Sequence, residues 1–138
     1  MIECDPIKKT EDIISKISAY EPQITKSIDF LEAKFTSAYN EELFIEIDTE
    51  FSIFFGDWHE HFQPYEEEYE LFLDDLFDIL KSRKFTVCTY RDDRWCGSEL
   101  SGSDTPDESV LREDWGNDKT IKCNYWDKAK NIIFEPKV

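Results

Sequence analysis

Residues 43–55 read LFIEIDTEFSIFF, and their apolar side chains recur at every second position. The two alternating rows lie on either side of the polar pair Asp48-Thr49: Leu43, Ile45 and Ile47, then Phe51, Ile53 and Phe55. A period of two is typical of a strand with one buried face. Two such runs joined by a short polar break predict a β-hairpin.

The next apolar residues change parity. Trp58 and Phe62 lie at even positions, whereas Phe51 and Phe55 lie at odd ones, and Gly56 stands between the two sets. An extra residue in one strand would return the aromatic side chains to the same face, and glycine within a strand often marks such a site. We therefore expect a β-bulge at Gly56.

Residues 64–81 show the clearest helical pattern in the chain. Pro64 stands at the start, and three glutamates follow in the first turn, where the helix dipole favours negative charge. One face of the expected helix is apolar and the opposite face is acidic, as in helices that bury one side against a core. The apolar stripe contains Tyr65, Tyr69, Phe72, Leu76 and Leu80, and the acidic stripe contains Glu67, Glu70, Asp74 and Asp78.

The N-terminal part is expected to be mainly helical. Residues 6–20 begin with a proline suited to an early helical position, and Glu21-Pro22 ends the pattern. From Ile24 to Phe35, apolar residues follow at spacings of four, three and four, which favours a second helix. Alternation from Ile24 to Phe30 also permits a strand, so both interpretations stay open.

The C-terminal part is expected to contain two more hairpins. They join residues 85–90 to 95–100 and residues 119–126 to 131–135. Asp92-Asp93 suits the first turn, because short polar side chains bond the local backbone. Residues 101–118 are rich in Ser, Gly, Asp and Pro, and we interpret them as a long surface loop with at most a short helical turn at 108–112.

Together these elements predict a single α+β domain over residues 1–138, a usual size for one hydrophobic core. Strands joined by short turns favour an antiparallel sheet whose helices cover one face. We expect about six strands in three hairpins, with the N-terminal helices and the long amphipathic helix packed on that face.

The charge balance limits the classes of partner. The chain carries 32 acidic and 16 basic residues, a formal net charge of −16, while an aromatic content of 15% indicates a folded chain. Such a surface repels polyphosphate, so we expect a basic protein as partner rather than nucleic acid or an anionic membrane. From residue 35 to residue 80 there are fourteen acidic residues and no Lys or Arg. This segregation predicts an acidic face.

Cysteine usage and the N-terminus favour a cytoplasmic location. Cys4, Cys88, Cys96 and Cys123 form no CxxC pair, and we interpret them as small buried hydrophobes with one or two exposed thiols. The first residues, MIECDPIKK, lack the apolar core of a secretory signal. No run of the sequence approaches the roughly 18 apolar residues that a membrane-spanning helix needs.

His59 and His61 are the two histidines of the chain. On a strand their side chains point the same way, so they could share a divalent metal with nearby carboxylates. A metal-binding domain or metal-dependent enzyme centred on them is therefore the alternative function. The sequence carries none of the common nucleotide-binding or hydrolase motifs. We expect no catalytic residues, no cofactor and no enzymatic activity.

The binding hypothesis combines aromatic side chains with carboxylates. A tryptophan or tyrosine ringed by acids is the composition expected for gripping a basic partner. The expected partner contacts are Trp58, His59, His61, Glu67, Glu70, Asp74, Asp78, Trp95, Asp104, Asp107 and Trp115. We expect a monomer or a homodimer paired through strand edges.

A family resemblance points the same way. The run FGDWHEHF at 55–62, the acidic helix after it and the hairpin that carries Trp95-Cys96-Gly97 resemble small bacterial immunity-type proteins. Such proteins are encoded beside polymorphic or contact-dependent toxins and neutralise them by direct binding. The resemblance covers about residues 43–101. It implies an inhibitor of a basic toxin domain and no catalytic residues.

Overall fold

The computed structural model describes residues 1–137, and the chain divides into two units, Met1–Leu76 and a second that begins at Phe77. Within the described residues there are three α-helices and nine strands, which form antiparallel sheets of five and four strands. The helices are α1 (Thr10–Ile17), α2 (Glu66–Leu80) and α3 (Glu108–Trp115). The strands are β1 (Gln23–Ser27), β2 (Phe30–Thr36), β3 (Glu42–Ile47), β4 (Phe51–Phe55), β5 (Trp58–Phe62), β6 (Thr86–Arg91), β7 (Arg94–Leu100), β8 (Thr120–Asn124) and β9 (Ile132–Phe134).

The hairpin predicted over residues 43–55 is confirmed. β3 and β4 pair antiparallel, with Leu43 opposite Phe55 and Ile47 opposite Phe51. The alternating apolar side chains of both strands face the core of the first unit and are at most 4% exposed. Across this sheet the strands follow chain order from β1 to β5, so each one pairs with the next along the chain.

The prediction of a β-bulge at Gly56 is wrong. Gly56 begins a two-residue turn, so that Phe55 pairs with Trp58 and Phe51 pairs with Phe62. Its φ of 58° is a left-handed conformation that glycine adopts without steric cost. Because cross-strand partners share a face, the turn alone brings the side chains of Trp58 and Phe62 into the core.

The prediction of a second N-terminal helix over residues 24–35 is also wrong, and the strand interpretation of this segment is correct. It forms the hairpin of β1 and β2, in which Ile24 lies opposite Ala33. Leu31 and Phe35 of β2 are buried, whereas β1 is exposed along its whole length. Tertiary context decides here, because β2 pairs with β3 and buries its alternate residues in the same core.

The first helix, expected over residues 6–20, is confirmed as α1 with a 3₁₀ turn at each end. Ile13 and Ile17 are fully buried, which places one face of α1 in the core of the first unit. The ring of Tyr20 meets that of Phe35 edge to face, with the ring centroids 6.3 Å apart.

The amphipathic helix expected over residues 64–81 is confirmed as α2. The ring centroid of Phe72 lies 5.3 Å from that of Phe51 and 5.7 Å from that of Phe62, which packs the helix on the first sheet. The hydroxyl of Tyr69 donates a hydrogen bond to Asp12 and so links α2 to α1. Tyr69, Phe72 and Leu76 of the apolar stripe are buried, as the sequence pattern predicts.

The second sheet has the strand order β7-β6-β8-β9, and both hairpins predicted for this region are confirmed. Asp92 and Asp93 form the turn between β6 and β7 with φ values of 51° and 65°, the left-handed pair that a tight hairpin turn requires. The core of this unit contains Phe85, Val87, Leu111, Ile121, Cys123 and Tyr125.

The segment 101–118 is only partly the loop that its composition suggested. Its second half forms α3, which is eight residues long and therefore longer than the short turn expected at 108–112. Asp107 caps the helix, and Leu111 is buried in the core of the second unit. The polar composition of this segment favoured a loop over a helix in the prediction, whereas tertiary packing stabilises the helix.

The α+β class with antiparallel pairing is confirmed, whereas a single sheet of about six strands is wrong. The number of strands predicted from the sequence omitted β1, β2 and β5. The apolar residues of β1 and β2 also fit a helix, and those of β5 also fit a strand that continues through a bulge. The expectation of one domain over residues 1–138 stays a prediction.

None of the helices within residues 1–137 has both the length and the apolar character needed to cross a membrane. Cys4, Cys88, Cys96 and Cys123 form no disulfide with one another. Cys88 and Cys123 are buried, Cys4 is half-buried and Cys96 is exposed, which agrees with the interpretation from sequence.

Candidate protein-binding site

A groove of about 490 Å³ opens in the second unit, between α3 and the adjoining ends of β6 and β7. Its apolar lining includes the exposed Val110 and the half-buried Leu100, backed by the buried side chains of Phe85, Val87 and Leu111. Three carboxylates line it as well: Glu99 from β7, Asp107 at the start of α3 and Asp114 near the end of that helix. We call this feature the acidic groove.

Hydrogen bonds hold the chain where it leaves β7 and forms one rim of the acidic groove. The buried Ser101 donates its amide to the carbonyl of Phe85 at 2.9 Å, and its hydroxyl accepts from the amide of Phe85 at 3.2 Å. The same hydroxyl donates to the carbonyl of Ser103 at 2.7 Å. Farther along, the hydroxyl of Tyr125 donates to the carbonyl of Asp104. Burial raises the pKa of Tyr125, so this donor keeps its proton at neutral pH.

The other wall, α3, is anchored at both ends. Asp107 accepts a hydrogen bond from the amide of Val110 at 3.4 Å, the usual role of an aspartate before a helix. Near the other end, the buried guanidinium of Arg112 donates to the carbonyls of Gly116, Lys119 and Glu135. These contacts fix the C-terminal end of α3 against the backbone of residues that follow the helix.

Trp115 connects α3 to β7. Its indole packs against the core of the second unit, and its Nε1 donates to the carboxylate of Glu99 at 3.2 Å. Trp115 is one of the expected partner contacts, and its hydrogen bond orients one carboxylate of the acidic groove.

The acidic groove carries negative charge and no compensating cation. None of its lining residues, all of which lie in the described part of the chain, is Lys, Arg or His. Asp114 is exposed and forms no ion pair with any residue from 1 to 137. The exposed Val110 and the half-buried Leu100 lie beside these carboxylates and suit a side chain with an aliphatic stem and a cationic head, which is the character of lysine and arginine.

The aromatic residues expected to contact a partner differ in how far they are exposed. Trp58 is 4% exposed and belongs to the core of the first unit, so it offers no surface to a partner. Trp95 is 55% exposed on β7, where its Nε1 donates to Ser98 at 2.7 Å. Asp104 is exposed beside the acidic groove, and among all the expected contacts only Asp107 lines it.

The acidic stripe of α2 is only partly available. Glu67, Glu70 and Asp74 are exposed, as the helical period predicts. Asp78 is half-buried and forms ion pairs with Arg83 at 3.0 Å and Lys84 at 3.5 Å. These cations neutralise Asp78, so its expected role as a partner contact is not part of what we propose below.

His59 and His61 lie side by side on the outer face of the first sheet, with ring centroids 5.2 Å apart. Nδ1 of His61 is 2.7 Å from Oγ of Ser52 and 3.1 Å from Oε1 of Glu50. A histidine that activates a serine contacts the hydroxyl and the carboxylate through different ring nitrogens. Both partners here share one nitrogen, so the trio is not arranged as a nucleophile relay.

The metal alternative needs further ligands close to these histidines. Among residues 1–137, no three His, Cys, Asp or Glu side chains gather in a way that could hold a metal ion. The paired histidines therefore carry no second functional proposal.

Sequence reasoning missed Glu99, Val110 and Asp114 as site residues. A signal for Val110 and Asp114 was present, because they follow Asp107 by three and seven positions and so share a face of a helix that begins at Asp107. Interpreting 101–118 as a loop discarded this period. The approach of Glu99 to the same groove depends on packing between two elements and leaves no local signal.

Comparison of the chain with protein-family models, with curated proteins and with solved structures finds no match. The functional proposal therefore rests on the charge and geometry of the chain itself.

Proposed function

We propose that this chain is a cytoplasmic binding protein for a basic partner, and that it acts as an immunity-type inhibitor of a basic toxin domain. The observation that supports this most strongly is the acidic groove, in which three carboxylates lie beside the apolar side chains of Leu100 and Val110 without a basic residue in the lining. Inhibition by direct binding requires no catalytic group, so the proposal describes a protein without enzymatic activity of its own.

Long-range electrostatics supports the same partner class. A formal net charge of −16 attracts a basic protein and accelerates its encounter with the chain. Some carboxylates are already engaged, as in the ion pair of Lys9 and Glu66 at 2.8 Å. Asp114 has no such ion pair within the described residues, and its charge is open to a partner.

The decisive experiment uses the gene next to the one that encodes this chain. If that gene encodes a toxin domain, its expression in a bacterium should stop growth, and co-expression of this chain should restore it. The purified pair should bind with an affinity that falls by about tenfold or more between low and high ionic strength, because exposed charges are screened by salt.

A matched pair of variants tests the surface. Asp114→Asn removes a carboxylate from the acidic groove. Glu113→Gln removes an exposed carboxylate from the preceding position of α3, outside the groove. Both change the net charge by one, so only the first should weaken binding beyond the general loss of charge. Failure of the chain to bind or neutralise the adjacent toxin would refute the inhibitor proposal. The same holds for an affinity that does not change with salt.

A further inference from the structure

We infer that the acidic groove receives a short segment of the partner in which basic side chains flank an apolar one. This inference rests on the proposed function, because both assume a basic protein as partner. It adds the local chemistry that the partner must present.

The size of the acidic groove favours a segment over a single side chain. Its volume of about 490 Å³ falls within the range of roughly 300–1,000 Å³ that is typical of sites for drug-sized ligands. Such a site has room for two or three neighbouring side chains. A single ion pair on an open surface would need no cavity.

The order of residues along α3 suggests the order in the segment. Asp107 at the N-cap of α3 is followed by Val110 and Asp114 within the helix at spacings of three and four, so they lie along one side of it, and all three line the groove. Val110 is 52% exposed, so its side chain is open to contact with a partner. An acid, an apolar side chain and an acid in sequence complement a base, an apolar side chain and a base.

Both walls are held in place before any partner arrives. The buried Ser101 fixes the rim after β7, and Asp107 and Arg112 anchor α3. A site whose walls are already ordered loses little conformational entropy on binding. Short segments can therefore bind measurably without the rest of the partner.

The test titrates the ¹⁵N-labelled full chain with the peptide acetyl-Gly-Lys-Leu-Lys-Gly-amide at low ionic strength and follows the backbone amides by NMR. Amides of residues 99–114 should shift and saturate. Replacing both lysines by glutamine should weaken binding by about two- to fivefold per charge. Replacing the leucine by glycine should weaken it about threefold or more. An arginine version of the peptide should bind as the lysine version does.

Variants that leave the fold intact make the test specific. Asp114→Asn should weaken the peptide about two- to fivefold, while Glu113→Gln should leave its affinity unchanged. Val110→Ala should weaken the leucine peptide and leave the glycine peptide unaffected, and alanine is the better helix former, so α3 is retained. Far-ultraviolet circular dichroism checks that each variant is folded.

Two outcomes would overturn the inference. Peptide-induced shifts confined to the α2 surface around Glu67, Glu70 and Asp74 would move the contact elsewhere and leave the proposed function intact. Equal binding of spermidine and of the leucine peptide would show that the groove selects charge alone. Failure of the proposed function is a different result, in which neither the peptides nor the adjacent toxin domain binds anywhere on the chain.

Discussion

The indole of Trp115 lies directly over Gly97, so that a β-carbon added to Gly97 would stand 2.8 Å from Cζ3 of the ring. Real β-carbons do not approach other atoms this closely without a shift of one partner. The same indole donates to Glu99 at 3.2 Å. The missing side chain at Gly97 therefore gives space to the ring that orients one carboxylate of the acidic groove.

Gly97→Ala is expected to displace the indole of Trp115 and to lower the free energy of unfolding by about 1–3 kcal/mol. Urea denaturation followed by tryptophan fluorescence measures the effect. Gly102→Ala is the matched control, because a β-carbon there would meet no atom within 4 Å. Equal denaturation midpoints for the two variants would contradict the close packing of Trp115 on Gly97.

Arg112 is expected to stabilise the second unit through its buried guanidinium, since it donates to three backbone carbonyls, among them that of Glu135. Arg112→Lys keeps the charge and loses the fork of donors, which should lower the free energy of unfolding by about 1–3 kcal/mol. Arg94→Lys makes the same replacement at an exposed position and should change it by less than about 0.5 kcal/mol. Chemical denaturation of both variants compares them, and similar losses in the two would count against the anchoring role.

The acid sensitivity of the first unit is expected to depend on Asp12. Hydrogen bonds from Lys16 and then Tyr69 hold the pKa of this carboxyl below its ordinary value. A group with a lowered pKa in the folded state contributes stability that is present above about pH 4 and is lost as the pH falls through the folded pKa.

Asp12→Asn should therefore make the free energy of unfolding fall less steeply between about pH 5 and pH 2 than in the wild type. Tyr69→Phe removes one of the two donors and should give an intermediate slope. Denaturation curves recorded across this pH range provide the measurement. A wild-type slope in Asp12→Asn would exclude the carboxyl as a source of acid sensitivity.

The four thiols are expected to react at very different rates. Burial raises the pKa of the Cys123 thiol to about 12, with a smaller contribution from Cys88, so little reactive thiolate is present at pH 8. Iodoacetamide followed by mass spectrometry should label the exposed Cys96 first. Cys88 and Cys123 should react only after unfolding, and labelling of Cys123 as fast as Cys96 in the folded chain would contradict its burial.

Much of the secondary structure was predictable because its signals are local. The hairpin of β3 and β4, the helix α2 and the turn at Asp92-Asp93 each follow from a period or from turn chemistry within a few residues. The segment from Ile24 to Phe35 satisfied both a helical and a strand period, and only its pairing beside β3 selected the strand. A bulge was predicted at Gly56 because the buried side chains change from odd to even positions there. A two-residue turn produces the same change.

Less of the candidate site was predictable. Asp107 was identified from composition, whereas Trp58 was expected to contact a partner and is buried in the core because its strand partner is Phe55. Asp78 was expected to face a partner and instead pairs with Arg83 and Lys84 from the turn after its own helix. A sequence pattern shows which side of a helix is polar, but not which carboxylates find a cation after folding.

The α+β class, the antiparallel pairing of adjacent strands and the excess of negative charge follow from the sequence, since each depends on neighbours in the chain or on composition. The division of the strands into two sheets depends on tertiary packing, as does the position of Glu99 and Asp114 at one groove with Phe85. A groove forms where elements distant in the chain fail to meet completely. Its shape depends on side-chain volumes such as that of Trp115 over Gly97, which no local period records.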